Sequence, residues 1–185
     1  MIEDLVVEVH EVFARQGIDH AFGGALALAQ YAEPRGTIDV DVNVATVFSD
    51  RATVVDLLGS VGFRASVPED QWLPVAGARF SKPGEIAPLD VFFAFDEYHG
   101  EVLRRARTLP FPSSSGTVQL PFLDPEDLVV MKLSFNRPKD WVDVQAMADT
   151  GTPLDPDTIS ERLVRFRGVT MYPRTARLRR LLAGD

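Results

Sequence analysis

Leu5, Val6, Val9, Val12 and Phe13 recur every three or four positions, the spacing of one helix face, and Gly17 follows where such a helix needs a left-handed stop. The segment His20-Ala21-Phe22 is short and reads as a strand. Gly23-Gly24 then turns the chain into a buried helix, Ala25-Leu26-Ala27-Leu28-Ala29, that ends near Tyr31 to Gly36. From Ile38 to Val44 the period changes to two. Ile38, Val40, Val42 and Val44 share one face of a half-buried strand, and Asp39, Asp41 and Asn43 share the other.

Ser49-Asp50 is a cap for a helix from Ala52 to Leu58, and Gly59 and Gly62 lead into a strand around Phe63. Trp72 to Phe80 and Leu89 to Phe93 read as further strands, with Lys82-Pro83-Gly84 as the turn between them, and Ser113-Ser114-Ser115-Gly116 is a loop by composition. From Asp124 the pattern is helical. Asp124 fits an N-cap, Pro125 the first helical position and Asp127 the third, so a helix runs to Phe135. Pro138 opens another that reaches about Ala148, and Pro156 and Pro173 open two more. Strands and helices mix without a strict βαβ repeat. That predicts an α+β fold: a mixed β-sheet flanked by helices over residues 1–120, then a helical C-terminal half over 121–185 packed on that core.

Composition narrows the functional classes. The chain has 185 residues, 45% hydrophobic and 25% charged, with no internal repeat, which suits one soluble domain with at most a small appendage. The absence of cysteine excludes disulfide scaffolds, Cys-ligated zinc, iron–sulfur clusters and thiol catalysis. His10, His20 and His99 lack the short spacings of a histidine metal site. No apolar run approaches the roughly 20 residues of a membrane span. Met1-Ile2-Glu3-Asp4 lacks the basic start of a secretory signal, so the expectation is a cytoplasmic protein with no membrane partner. The net charge of −8 argues against a general nucleic-acid coat, yet Glu161 to Asp185 carries seven arginines against two acids.

The candidate chemistry centres on carboxylates. Residues two apart on a strand point the same way, so Asp39 and Asp41 stand close enough to repel and to favour a hard cation such as Mg²⁺. Taken alone, the pair equally fits the polar face of an amphipathic strand. Gly23-Gly24, between a strand and a helix, leaves room for a phosphate to approach backbone N–H groups, or simply permits a tight turn. Asp90 alternates with Leu89 and Val91. If its strand neighbours the first, three carboxylates gather into a nest for two Mg²⁺ ions, the arrangement used in phosphoryl-type transfer. Lys132, amid Leu128, Val129, Met131 and Leu133, needs an anionic partner, either a triphosphate or a nearby acid. Asp140 and Asp143 share a helix face, while Arg137 and Lys139 at the helix start oppose its dipole, which suggests either a role beyond stability or a solvated first turn with local ion pairs. Arg104, Arg105 and Arg107, and the C-terminal Arg162, Arg165, Arg167, Arg174, Arg177, Arg179 and Arg180, read as exposed helix faces, or as a track for RNA phosphates if they converge. Trp72, Trp141 and the phenylalanines are assigned to the core.

Gly23-Gly24, a helix, Arg35-Gly36-Thr37-Ile38-Asp39-Val40-Asp41 and a later Leu89-Asp90-Val91 together resemble the signature of the minimal nucleotidyltransferase (polymerase β-like) superfamily. The stretch from Lys132 through Arg137-Pro138-Lys139-Asp140-Trp141-Val142-Asp143 resembles the Lys…Arg-x-Lys-Asp-x-x-Asp segment of its AbiEii/MenT-type branch, whose members include toxins of toxin–antitoxin pairs. The resemblance covers about residues 20 to 150 and implies a nucleotidyltransferase-like sheet. It implies that Gly23, Gly24 and Thr37 hold nucleotide phosphates, and that Asp39, Asp41 and Asp90 ligate Mg²⁺. Lys132 would contact the triphosphate and Asp143 would complete the catalytic set with Asp39, Asp41 and Lys132. Many relatives carry Gly-Ser where this chain has Gly23-Gly24, which leaves Thr37 to supply a hydroxyl. The implied activity is transfer of NMP from an NTP to a hydroxyl acceptor, a tRNA in the toxin branch, with a cognate antitoxin protein as partner. The alternatives are a small molecule such as an aminoglycoside, a protein side chain, or a non-catalytic binding or antitoxin module. No Gly-x-Ser-x-Gly elbow, Walker A loop or Gly-x-Gly-x-x-Gly occurs to suggest another scheme.

Overall fold

The N-terminal period of three to four produces α1 (Ile2–Arg15), whose buried stripe is Leu5, Val6, Val9, Val12 and Phe13. Gly17, with φ +67°, stops it: its N–H donates to the Ala14 carbonyl, and that of Ile18 to the Phe13 carbonyl, so two carbonyls at the helix end are satisfied. The structure, a computed structural model, describes residues 1–72, 77–85 and 87–184. The chain divides into two units, Met1–Leu26 with Gly36–Leu123, and Ala27–Arg35 with Asp124–Asp185.

The first unit contains a mixed sheet. Its strands are β1 (His20–Phe22), β2 (Val40–Val47), β3 (Arg64–Ala65), β4 (Ala78–Ser81), β5 (Leu89–Ala94), β6 (Arg107–Ser113) and β7 (Gly116–Phe122), in the order β3-β4-β5-β2-β1-β7-β6. β2 and β5 run parallel at its centre, with Val40 opposite Leu89, Asp41 opposite Asp90 and Val42 opposite Val91. The valines and Leu89 are buried, so the intervening acids share the other side. α1 packs against β6 and β7, and α4 (Glu97–Arg105) against β2 and β5. α2 (Gly24–Leu28) follows β1, and α3 (Ala52–Ser60) buries Val54 and Leu58.

Several sequence expectations change. The strand predicted from Ile38 begins only at Val40, and Ile38 is 82% exposed instead of buried. The reason is pairing: partner strand β5 starts at Leu89, opposite Val40, and Ile38 has no strand residue beside it. Ser49 and Asp50 do not cap α3; they sit in a 3₁₀ turn, and α3 opens from Arg51 without a side-chain cap. Of the strand expected over Trp72 to Phe80, residues 73–76 lie outside the described residues, and β4 covers the end. The arginine-bearing helix face expected at Arg104 and Arg105 is the end of α4, whereas the β6–β7 hairpin has no counterpart in the sequence expectation. Pro110 and Pro112 disguise β6, which tolerates them because it is an edge strand with one side free of ladder bonds. The serine-rich loop is the hairpin's tight turn, with Ser113 paired to Gly116. Arg104 and Arg105 lie on α4 while Arg107 opens β6, so the three do not form one helix face.

The second unit is built from α5 (Pro125–Phe135), α6 (Pro138–Asp149), α7 (Pro156–Arg167) and α8 (Tyr172–Ala183). Asp124 caps α5 as expected, accepting from the Glu126 N–H, and Asn136 ends it in the left-handed region. α5 is buried nearly all round, through Leu128, Val129, Val130 and Leu133, and packs against α6 and α7. On α7 and α8, Leu163 and Leu178 are buried and Val164, Leu181 and Leu182 are half-buried. Trp72 and Trp141 belong to the core, but Phe135 is exposed. No helix of the described residues is long and apolar enough to cross a membrane.

Candidate active site

In the first unit the parallel register places Asp90 beside Asp41, and Asp39 lies just ahead of β2. Thr37 orients Asp39. Its hydroxyl lies 3.0 Å from both Oδ1 and the backbone O of Asp39, and the Asp39 N–H approaches the same hydroxyl at 3.4 Å. Gly24 explains itself through Asp41: a Cβ there would fall within 1.7 Å of Asp41 Oδ2, and its φ is +53°. The glycine pair therefore makes room first for a carboxylate. Gly23 binds the strand instead, its N–H donating to the Asp41 carbonyl at 2.9 Å, with Asn43 and Leu123 where a side chain would stand.

Sequence reasoning missed Arg79. It is the register partner of Asp90 across β4 and β5. Its Nε donates to Asp90 Oδ1 at 2.7 Å and its Nη2 to Asp90 Oδ2 at 2.6 Å, a bidentate fork, while Nη2 also reaches Asp39 Oδ2 at 3.4 Å. The hydrogen bonds to Asp90 raise the arginine's pKa above its ordinary value against a smaller opposing effect of burial, and the charges of Asp39 and Asp41 add to the rise. A signal was present: Arg79 alternates with buried Ala78 and Phe80, and the turn at Lys82-Pro83-Gly84 folds its strand back on Asp90.

Whether these residues suit a divalent cation can be judged from the donors. Three carboxylates on adjoining segments offer the hard oxygen ligands that Mg²⁺ takes. Among the described residues no three ligating side chains yet converge on one point. The Arg79 guanidinium is the positive group between Asp39 and Asp90, so a cation already stands where these oxygen donors meet.

In the second unit Lys132 and Asp143 are partners of each other. Lys132 Nζ donates to Asp143 Oδ2 at 2.6 Å, and Arg35 closes a fork on the same carboxylate at 2.8 and 2.9 Å. Lys132 and Asp143 are 5% and 2% exposed, so both charges are held out of water. Burial pushes the lysine below its usual range, opposed by its hydrogen bond to Asp143. Burial alone would raise Asp143, but the hydrogen bonds from Arg35 and Lys132 outweigh it and hold the carboxyl below the usual range. Asp140, the third residue of α6, is fully buried and accepts from the backbone N–H and the guanidinium of the N-cap residue Arg137 at 2.8 to 3.0 Å. Arg137 thus forms a local ion pair, its charge at the helix start balanced by the buried acid that accepts from its backbone N–H.

A scan of the sequence against protein-family models finds no match, and neither does a search of curated proteins. Solved structures do share the fold. The chain is similar to an antigenic nucleotidyltransferase-like protein from Paracoccidioides brasiliensis, at 17% identity over 94% of this chain and 91% of that one, with a TM-score of 0.54. It is similar to ANT(2")-Ia in complex with adenylyl-2"-tobramycin, at 12% identity over 92% and 98% of the two chains and a TM-score of 0.59. A third is the lincosamide antibiotic adenylyltransferase LnuA bound to lincomycin, at 11% identity over 78% and 94%, with a TM-score of 0.52. The chain has a nucleotidyltransferase fold.

Proposed function

We propose that this chain is a Mg²⁺-dependent nucleotidyltransferase that moves a nucleoside monophosphate from an NTP to a hydroxyl of a small molecule. The observation that carries the reading is the register of Asp41 with Asp90, beside Asp39, on a nucleotidyltransferase fold. In the transfer the acceptor oxygen bonds to the α-phosphorus, the bond from that phosphorus to pyrophosphate breaks, and the hydroxyl proton leaves to a carboxylate or to water. Bound Mg²⁺ supplies charge neutralisation on the phosphates and an acidified acceptor hydroxyl.

The remaining work falls to this chain's own residues. Asp39, Asp41 and Asp90 hold the metal, with Thr37 fixing Asp39, while Gly23, Gly24 and Thr37 border the phosphates. Lys132, Arg35 and Asp143 together keep one net positive charge, which suits a triphosphate; Asp143 acts by holding the two cations in place.

Tobramycin and lincomycin in the similar structures support a small acceptor. The Lys132 to Asp143 segment favours a second reading, transfer to tRNA by a toxin of the AbiEii/MenT type with an antitoxin partner. The small acceptor ranks first because much of the basic tail is engaged inside its own unit. Arg162 pairs with Glu126 and Asp127, Arg174 donates to the Leu133 and Ser134 carbonyls, Arg179 pairs with Asp157, and Arg177 lies over the Trp141 ring.

The test is incubation with Mg²⁺, each α-labelled NTP in turn, and a panel of aminoglycosides, lincosamides and total RNA. The expected result is label on a small molecule, with Asp41→Asn reducing it on the order of a hundredfold or more at an unchanged melting temperature. Label on RNA alone would move the conclusion to the toxin reading. No label on any acceptor, with a flat thermal-shift response to every NTP plus Mg²⁺, would leave a non-catalytic module.

A further inference from the structure

Arg79 has no role in the transfer as written, yet it makes both of its shortest contacts with Asp90. Its position is not a chance of side-chain rotation. The β4–β5 ladder sets its Cα opposite that of Asp90, while Ala78 and Phe80 on either side are buried and fix which way the strand faces. The guanidinium spans two carboxylates that belong to different segments of the chain, Asp90 within β5 and Asp39 ahead of β2, and feels the charge of Asp41 as well. Three acids against one arginine leave a net charge of about −2, so the cluster remains strongly attractive to a dication. The arginine side chain is also 49% exposed, which leaves it room to swing away into water.

We propose that Arg79 is a tethered counter-cation of the carboxylate cluster, occupying the metal's position in the empty protein and withdrawing when metal and nucleotide arrive together. This rests on the reading of the cluster as a metal site. The physical logic is competition. A guanidinium anchored to the neighbouring strand neutralises acids that would otherwise repel one another, and a dication gains the same carboxylates only in the fraction of molecules from which the arginine has moved. The apparent affinity for metal alone is lowered by that fraction. Nucleotide phosphates restore it, because they add ligands for the metal and an alternative anionic partner for the released arginine.

The experiment is a Mn²⁺ titration of the whole chain followed by electron paramagnetic resonance, without and with nucleotide. Arg79→Ala is expected to bind Mn²⁺ without nucleotide roughly tenfold more tightly than the wild type, the gain expected if about one molecule in ten has its cluster open. Arg79→Lys, which cannot form the fork, should fall between the two. Adding Asp41→Asn to Arg79→Ala should remove the gain. In chelator Arg79→Ala should melt below the wild type, because its carboxylates repel unrelieved, and Mn²⁺ should close that gap.

Equal or weaker Mn²⁺ binding by Arg79→Ala would overturn the proposal. Should that variant not fold, Arg79→Lys decides by the same comparison. If the wild type binds Mn²⁺ with nucleotide but neither variant gains affinity without it, the counter-cation role is lost and the metal-site reading stands. If no form binds Mn²⁺ with or without nucleotide, both are lost.

Discussion

The two units each assemble carboxylates and cations, and they do so in opposite proportions. In the sheet unit three acids, Asp39, Asp41 and Asp90, share one guanidinium at a half-exposed position. In the helical unit two cations, Lys132 and Arg35, share the single acid Asp143, and two of the three side chains are almost fully buried. An excess of acid open to water can exchange one cation for another. A buried excess of base cannot: removing its acid strands a charge where no water replaces the partner. The first arrangement suits the cation exchange proposed for Arg79, the second the holding of basic side chains in one place.

That contrast can be broken most forcefully at Asp143. Asp143→Ala leaves the buried Lys132 ammonium without its carboxylate and should cost about 3–5 kcal/mol, measured by chemical denaturation, whereas Asp41→Asn should leave stability near the wild type. Equal losses at the two sites would erase the distinction between them. A smaller effect is expected at Gly24. Gly24→Ala forces a side chain into the left-handed region at a cost of about 1–3 kcal/mol, and also displaces Asp41 Oδ2. Gly17→Ala shares the positive φ but has nothing within 4 Å of the new Cβ. It should lose comparable stability yet keep Mn²⁺ binding with nucleotide, which Gly24→Ala should weaken.

The smallest expected effect is a pH dependence. Because the Asp143 carboxyl titrates below its ordinary range, its proton-linked stabilisation is complete above about pH 4. It is lost as pH falls from there through the folded-state value, the interval in which the unfolded chain binds more protons than the native one. The stability gap between the wild type and Asp143→Asn should therefore be constant from pH 5 to 7 and narrow below about pH 4. A gap that does not change with pH would mean that the carboxylate's charge contributes nothing to the triad.

Much of the architecture was legible because its signals are short-range. The stripe from Leu5 to Phe13 gave α1, and Asp124 with Pro125 gave the start of α5, since a cap acts over one turn. The misses are equally physical. Alternation at Ile38 mimicked a strand, but a strand exists only where a neighbour pairs with it, and β5 begins too late. Pro110 and Pro112 argued against β6, and only its place at the sheet edge makes them acceptable. At the candidate site the acids themselves could be read from spacing. Their cations were harder to read, apart from Lys132: alternation and the Lys82-Pro83-Gly84 turn put Arg79 on a strand that folds back toward Asp90, but only the β4–β5 register makes it that acid's partner.

What the sequence determined by itself is therefore the supply of carboxylates: Asp39 and Asp41 two apart, and Asp90 between apolar neighbours, patterns that backbone geometry converts into a shared face. What only the tertiary structure decided is which positive charge each acid keeps. Arg79 reaches Asp90 through strand register, and Arg35 reaches Asp143 across 108 residues of chain. A charge has no preferred partner along the chain. It takes the one that folding brings close and shields from water, and that choice is made by pairing and packing.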